Sequence, residues 1–183
     1  MNLNYKQLGM YLLVGIASGI LCILLGNLIE HRLLPGFVLG VMILLAGRYI
    51  SRIGSRHLLL SPLILILFCG TGWYLASQHG ANAYASGGYA SGGYVSLLWE
   101  VESGVIGGLF VGTGLAIAWK LKSIWVVILL VTVAGGLGGV LFVLQGTPLD
   151  EEQRWMFVYW QGLVLLSIGV AVQINSNKPS IKQ

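Results

Sequence analysis

The ionisable residues of this chain avoid the middle of every long apolar run, so the chemistry open to it is narrow. No Asp, Glu, Lys, Arg or His occupies the centre of such a run. A buried ionisable group is the usual mark of a proton or ion path through a membrane. Its lack argues against a proton-coupled pump and leaves passive passage of a neutral solute open. The deepest polar residues are Ser18, Thr71, Thr113, Thr132, Gln161 and Ser167. Of these, Thr71, Thr113, Thr132 and Gln161 are the candidate lining of such a passage. Hydroxyls can bond the backbone of their own helix, which is the simpler role for the threonines. Gln161 is costly to bury without a partner, and a hydrogen bond to another helix is favoured for it over solute contact.

Metal and nucleophile chemistry find less support. Glu30, His31, His79, Glu100, Glu102 and the run Asp150-Glu151-Glu152 fall between apolar runs, and oxygen and imidazole ligands suit divalent cations. Yet Glu100 and Glu102 diverge on a helix, Asp150 is placed to cap one, and no spacing matches a dedicated metal motif. Orientation and capping are the favoured roles of these acids, and no metal or cofactor is expected. Ser18 in Gly15-Ile16-Ala17-Ser18-Gly19 misses the Gly-x-Ser-Gly pattern of intramembrane serine proteases by one position. No histidine lies in a later apolar run to serve as its base. Cys22 and Cys69 lie deep in apolar segments and form no Cys-x-x-Cys pair, so they read as packing residues. No catalytic residue is assigned, and the chain is expected not to be an enzyme.

The elements that hold these residues follow from composition. Of 183 residues, 56% are hydrophobic and 9% charged, against about 25% charged in a soluble domain. The apolar runs cover approximately 8–29, 33–50, 58–77, 103–119, 123–145 and 155–174. Each meets or approaches the roughly 20 residues that span a bilayer. Alternation of the kind a β-barrel requires is lacking. The expectation is a single all-α membrane domain of six transmembrane helices. The first run is too long for a secretory leader and reads as an uncleaved helix.

Charge sets the expected orientation. Lys6, Arg48, Arg52, Arg56, Lys120, Lys122, Lys178 and Lys182 fall on one side of a six-span arrangement, with Arg32 and Arg154 on the other. All six acidic residues share the side of Arg32 and Arg154. The basic side is the cytoplasmic one, which puts both termini in the cytoplasm of a bacterial-type inner membrane. Basic residues scattered between apolar runs do not form a nucleic-acid face. Trp73, Trp99, Trp119, Trp125, Trp155 and Trp160 all lie near run ends, as expected of rings at the lipid interface. Asp150 followed by Gln153 fits an N-cap and its reciprocal partner at the start of the last helix.

Two patterns remain. Residues 78–98 read as a flexible external loop containing the tandem repeat Tyr84-Ala-Ser-Gly-Gly and Tyr89-Ala-Ser-Gly-Gly. A linker lengthened by duplication is favoured over a recognition loop. The 27 glycines include rows of four-residue spacing: Gly15/Gly19, Gly36/Gly40, Gly104/Gly108/Gly112 and Gly135/Gly139. Such rows put small residues on one helix face and permit close helix contact. Gly114, on another face of its helix, is expected to tolerate a side chain better than Gly108. Two roles are nearly level for the whole chain. One is an accessory or assembly subunit acting through glycine-lined contacts, with a second copy or another membrane protein as partner. The other is a small permease or channel for a neutral solute. A membrane-embedded enzyme is a distant third.

Overall fold

A computed structural model describes residues 3–26, 33–51, 60–85, 94–144 and 153–176. These residues form six helices in chain order: α1 (Tyr5–Gly26), α2 (Leu34–Tyr49), α3 (Leu60–Ala85), α4 (Tyr94–Trp119), α5 (Ile124–Leu144) and α6 (Gln153–Ser176). Helix is the outcome that physics requires of apolar runs without a polar solvent, because each backbone group then finds its partner within the segment. Five of the helices are long and apolar enough to cross a membrane. The sixth, α2, has 16 residues and reaches about 24 Å, short of a hydrocarbon layer of roughly 30 Å. Pro35 in its first turn fixes where it begins, and Arg48 lies in its last turn.

The helix ends depart furthest from the apolar runs on either side of the tyrosine repeat. Helix α3 continues through Ala85 and α4 begins at Tyr94, so 78–85 and 94–98, read from sequence as loop, are helical. Apolarity ends before the helix does, since residues such as Ser77, Gln78 and His79 leave the membrane pattern without breaking the backbone pattern. The remainder of the tyrosine repeat lies outside the described residues. So do Glu30, His31, Arg32, Arg52, Arg56, the Asp150 cap, Glu151, Glu152, Lys178 and Lys182.

Consecutive helices run antiparallel and adjacent, and α1 and α6 close the circuit. Helix α6 is the most enclosed, touching α1 and α5 extensively and α2 and α4 at a few points. The core is apolar and drawn from all six helices: Tyr11 from α1, Leu39 and Ile43 from α2, Leu65 from α3, Val111 and Leu115 from α4, Val127 and Val131 from α5, and Val164, Leu165 and Ile168 from α6. Large apolar side chains also cover the outside, including Leu13, Leu45, Leu67, Leu109 and Leu129. Apolar surface outside as well as inside fits a multi-pass membrane protein, in which lipid takes the place of water.

The glycine rows lie where helix backbones approach most closely. A Cβ on Gly104 would run into the carbonyl of Gly135, and one on Gly108 would sit 2.6 Å from the carbonyl oxygen of Val131. Across the circuit, a Cβ on Gly15 would lie 2.7 Å from Cα of Gly162, and one on Gly19 2.6 Å from the carbonyl oxygen of Phe157. Gly36 and Gly40 face α3 in the same way, and Gly139 meets the backbone of Glu100. Each row faces a neighbouring helix of this chain. Gly114 departs from expectation: a Cβ there would lie 2.5 Å from Cβ of Phe68. Helix α4 lies between α3 and α5, so both of its glycine faces are occupied.

Tryptophan divides into two classes. Trp125 and Trp155 are exposed near helix ends, as expected of interfacial rings, but Trp160 is only 6% exposed. Its ring fills the space left by Gly107 and Gly138, which a Cβ would bring to 2.9 Å and 2.6 Å of it. It also meets Trp73 edge-on at 6.0 Å between centroids. Position near a helix end does not separate a ring facing lipid from one facing a neighbouring helix.

Candidate functional site

The two most deeply buried polar side chains among the described residues lie on the seam of α1, α2 and α6. On α1, Gly15, Ser18, Gly19 and Cys22 occupy one side at three- and four-residue steps, which a helix stacks above one another. The glycines let α6 approach, and Gln161 of α6 is thereby brought against α1. Its Nε2 donates to Cys22 Sγ at 3.3 Å, and the thiol in turn donates to the carbonyl oxygen of Pro35 at 3.8 Å. A short polar relay thus links three helices. Ser18 and Gln161 are both fully buried. Ser18 Oγ and Gln161 Oε1 have no hydrogen-bond partner among the described residues.

The remaining candidate lining residues are not gathered there. Thr132, on α5, lies at the α4 contact, where its Cα would be 2.9 Å from a Cβ on Gly108. Its hydroxyl is buried without a partner among the described residues. Thr113 is half-buried on α4, and Thr71 is exposed on α3. Gln161 and Thr132 therefore belong to two separate helix seams, and apolar side chains of the core occupy the interior between them.

At the acidic end of the bundle, His79 Nε2 lies 2.9 Å from Glu102 Oε2, and its ring stands 4.8 Å from that of Trp99. This pair fastens the far ends of α3 and α4. Glu100 is half-buried, about 200° around the helix from Glu102. Among the described residues no group of three metal-ligating side chains comes together.

The opposite end carries a polar network that the sequence did not reveal. Asn4 N donates to Gln173 Oε1 at 2.8 Å, and Gln173 Nε2 returns a bond to the Asn4 carbonyl at 3.1 Å. Tyr11 OH and Ser51 Oγ are 2.7 Å apart, and Gln7 Nε2 donates to the same Ser51 oxygen at 2.8 Å. Asn175 Oδ1 accepts from Ser123 N at 2.8 Å, capping the start of α5. The first and last helices thus begin and end together. The one available signal was the clustering of amides near chain ends, Asn4 and Gln7 with Gln173 and Asn175, which marks no partner without the fold.

Compared with known protein families, curated proteins and solved structures, the chain matches none.

Proposed function

We propose that this chain is a non-enzymatic inner-membrane protein that crosses the bilayer six times and serves as an accessory or assembly subunit. Its termini are cytoplasmic in this reading, because the end bearing Lys6, Arg48, Lys120 and Lys122 has no acidic residue among the described ones and basic loops stay inside. Helix α2 counts as the sixth crossing. It runs between α1 and α3 from the Pro35–Cys22 contact at one end to Ser51, beside Tyr11, at the other.

The observation that supports the functional reading is the apolar cluster at the centre of the described residues. Leu39, Ile43, Leu65, Leu115 and Ile168 are all at most 1% exposed and meet in one cluster. A solute path would need polar groups along that axis. With its glycine rows turned toward its own helices, the chain is left with its outward apolar face for a second copy or another membrane protein. Nucleic acid has no place in this reading.

The test is flux. Vesicles reconstituted with the protein should shrink and reswell in glycerol or urea gradients no faster than empty vesicles. Faster equilibration, abolished by Gln161→Leu, would replace this reading with the neutral-solute permease. The unpartnered Ser18 and Gln161 oxygens are the specific observation in that rival's favour. Native mass spectrometry in mild detergent should instead find a complex of fixed stoichiometry.

A further inference from the structure

We propose that Arg48 and Lys120, flanking the contact between Gly47 and Trp119, form a docking site for the phosphate headgroup of an anionic phospholipid. The inference rests on the reading that the bundle sits in a bilayer. It begins with the Trp119 ring, which lies so close to Gly47 that a Cβ there would be 2.7 Å from its Cη2 atom. That contact joins the last turn of α2 to the last turn of α4. Arg48 follows Gly47 and Lys120 follows Trp119, and both side chains are exposed. Lys122 stands exposed two residues on. Two helix ends joined by that contact thus each carry a cation next to it in sequence.

The backbone at Lys120 is a second, independent observation. Its φ is 49°, and among the described residues no other non-glycine has a positive φ. Glycine or asparagine occupies this left-handed position after a helix at little cost, and lysine does not. The chain has 27 glycines, yet here it carries a cation. An unfavourable residue at a strained position is a pointer to function, and a positive charge at that point is what lysine supplies.

Charge complementarity selects an anion. The acidic residues whose side chains are described, Glu100 and Glu102, lie near the far end of α4. The surroundings select a lipid. About one turn back along each helix are Leu45 and Ile117, 43% and 49% exposed. The phosphate meets the cations while an acyl chain lies against these side chains, an arrangement that basic sites between membrane helices offer to anionic headgroups. A guanidinium adds paired N–H donors that fit phosphate oxygens, and the ammonium adds a point charge.

Native mass spectrometry of the detergent-purified protein, offered phosphatidylglycerol and phosphatidylcholine of matched chains, tests this. The wild type should retain phosphatidylglycerol in preference. Arg48→Gln and Lys120→Asn should each weaken that retention about fivefold. Lys120→Asn should also keep or raise the melting temperature, because asparagine suits the backbone, so a lost preference cannot come from misfolding. Glu102→Gln, at the other end, should retain the lipid as the wild type does. Equal retention of the two lipids by the wild type overturns the site. So do unchanged retention in both single variants and displacement by inorganic phosphate at equal concentration. Carbonate extraction separates this failure from the other: release of the chain from membranes would sink the bilayer reading instead.

Discussion

Ser18 and Gln161 show what burial does to a polar atom with no partner. The Ser18 hydroxyl is fully enclosed and unpaired among the described residues, so folding removes it from other donors and acceptors without return. Leaving such a group unsatisfied costs about 1–3 kcal/mol. Ser18→Ala should therefore hold or raise the melting temperature in detergent, and a clear loss would mean the hydroxyl has a partner after all. Gln161 is different, because its amide nitrogen bonds Cys22 while its oxygen bonds nothing described. Side-chain hydrogen bonds between membrane helices average about 0.6 kcal/mol, so Gln161→Met, close in volume, should change stability by less than about 1 kcal/mol. A much larger loss would show that the relay through Cys22 to Pro35 holds α1, α2 and α6 together. Gln161 was legible from sequence as a residue needing a partner. Which partner was not, because Cys22 reads as an apolar packing residue until α1 and α6 are set against each other.

The glycines belong to the scale of elements, where a row matters through the helix it faces. Gly104 and Gly135 meet carbonyl to backbone across α4 and α5, and backbone cannot rotate away as a side chain can. Gly104→Ala should therefore destabilise the protein by about 1–3 kcal/mol, the usual range for overpacking. Gly162 is the instructive contrast. Its own Cβ direction meets nothing nearer than Leu12 Cδ1 at 3.5 Å, an ordinary contact with a movable methyl. Gly162→Ala should be neutral or stabilising by up to about 1 kcal/mol, since alanine holds a helix better than glycine. Melting temperatures of the two variants in one detergent check the pair, and equal tolerance would show that α4 and α5 are less closely apposed. Sequence spacing identified both Gly108 and Gly112 as members of a row. It misjudged Gly114, because one helix can be approached from two sides and periodicity describes one face at a time.

At the scale of the whole molecule, the circuit of six antiparallel helices brings Asn4 against Gln173 and separates that end from His79 and Glu102. Both free cysteines are buried and should not react with an impermeant thiol reagent in intact membranes. Single cysteines placed at Asn82 and Lys122, both exposed, should then label from opposite faces of the membrane, Lys122 from the cytoplasmic side. A cysteine at Ser51 should share the side of one at Lys6, exposed at the start of α1, if α2 crosses. Labelling of Ser51 and Lys6 from opposite sides would make α2 a segment that enters and returns.

By itself the sequence determined the helices, their order and the separation of charge. Each of these follows from local composition: apolar runs must satisfy their own backbone, and charges must leave the hydrocarbon. The tertiary structure alone decided which glycine row faces which helix and that Trp160 fills a gap between Gly107 and Gly138. It alone decided that Gln7, Tyr11 and Ser51 share one cluster, and that the Trp119 ring closes on Gly47. The physical reason is that nearly every face of these helices is apolar. When lipid and protein are equally acceptable surroundings for a leucine, hydrophobic patterning no longer says which face turns inward. That choice falls to close backbone approach and a few hydrogen bonds, both of which exist only once the helices are side by side.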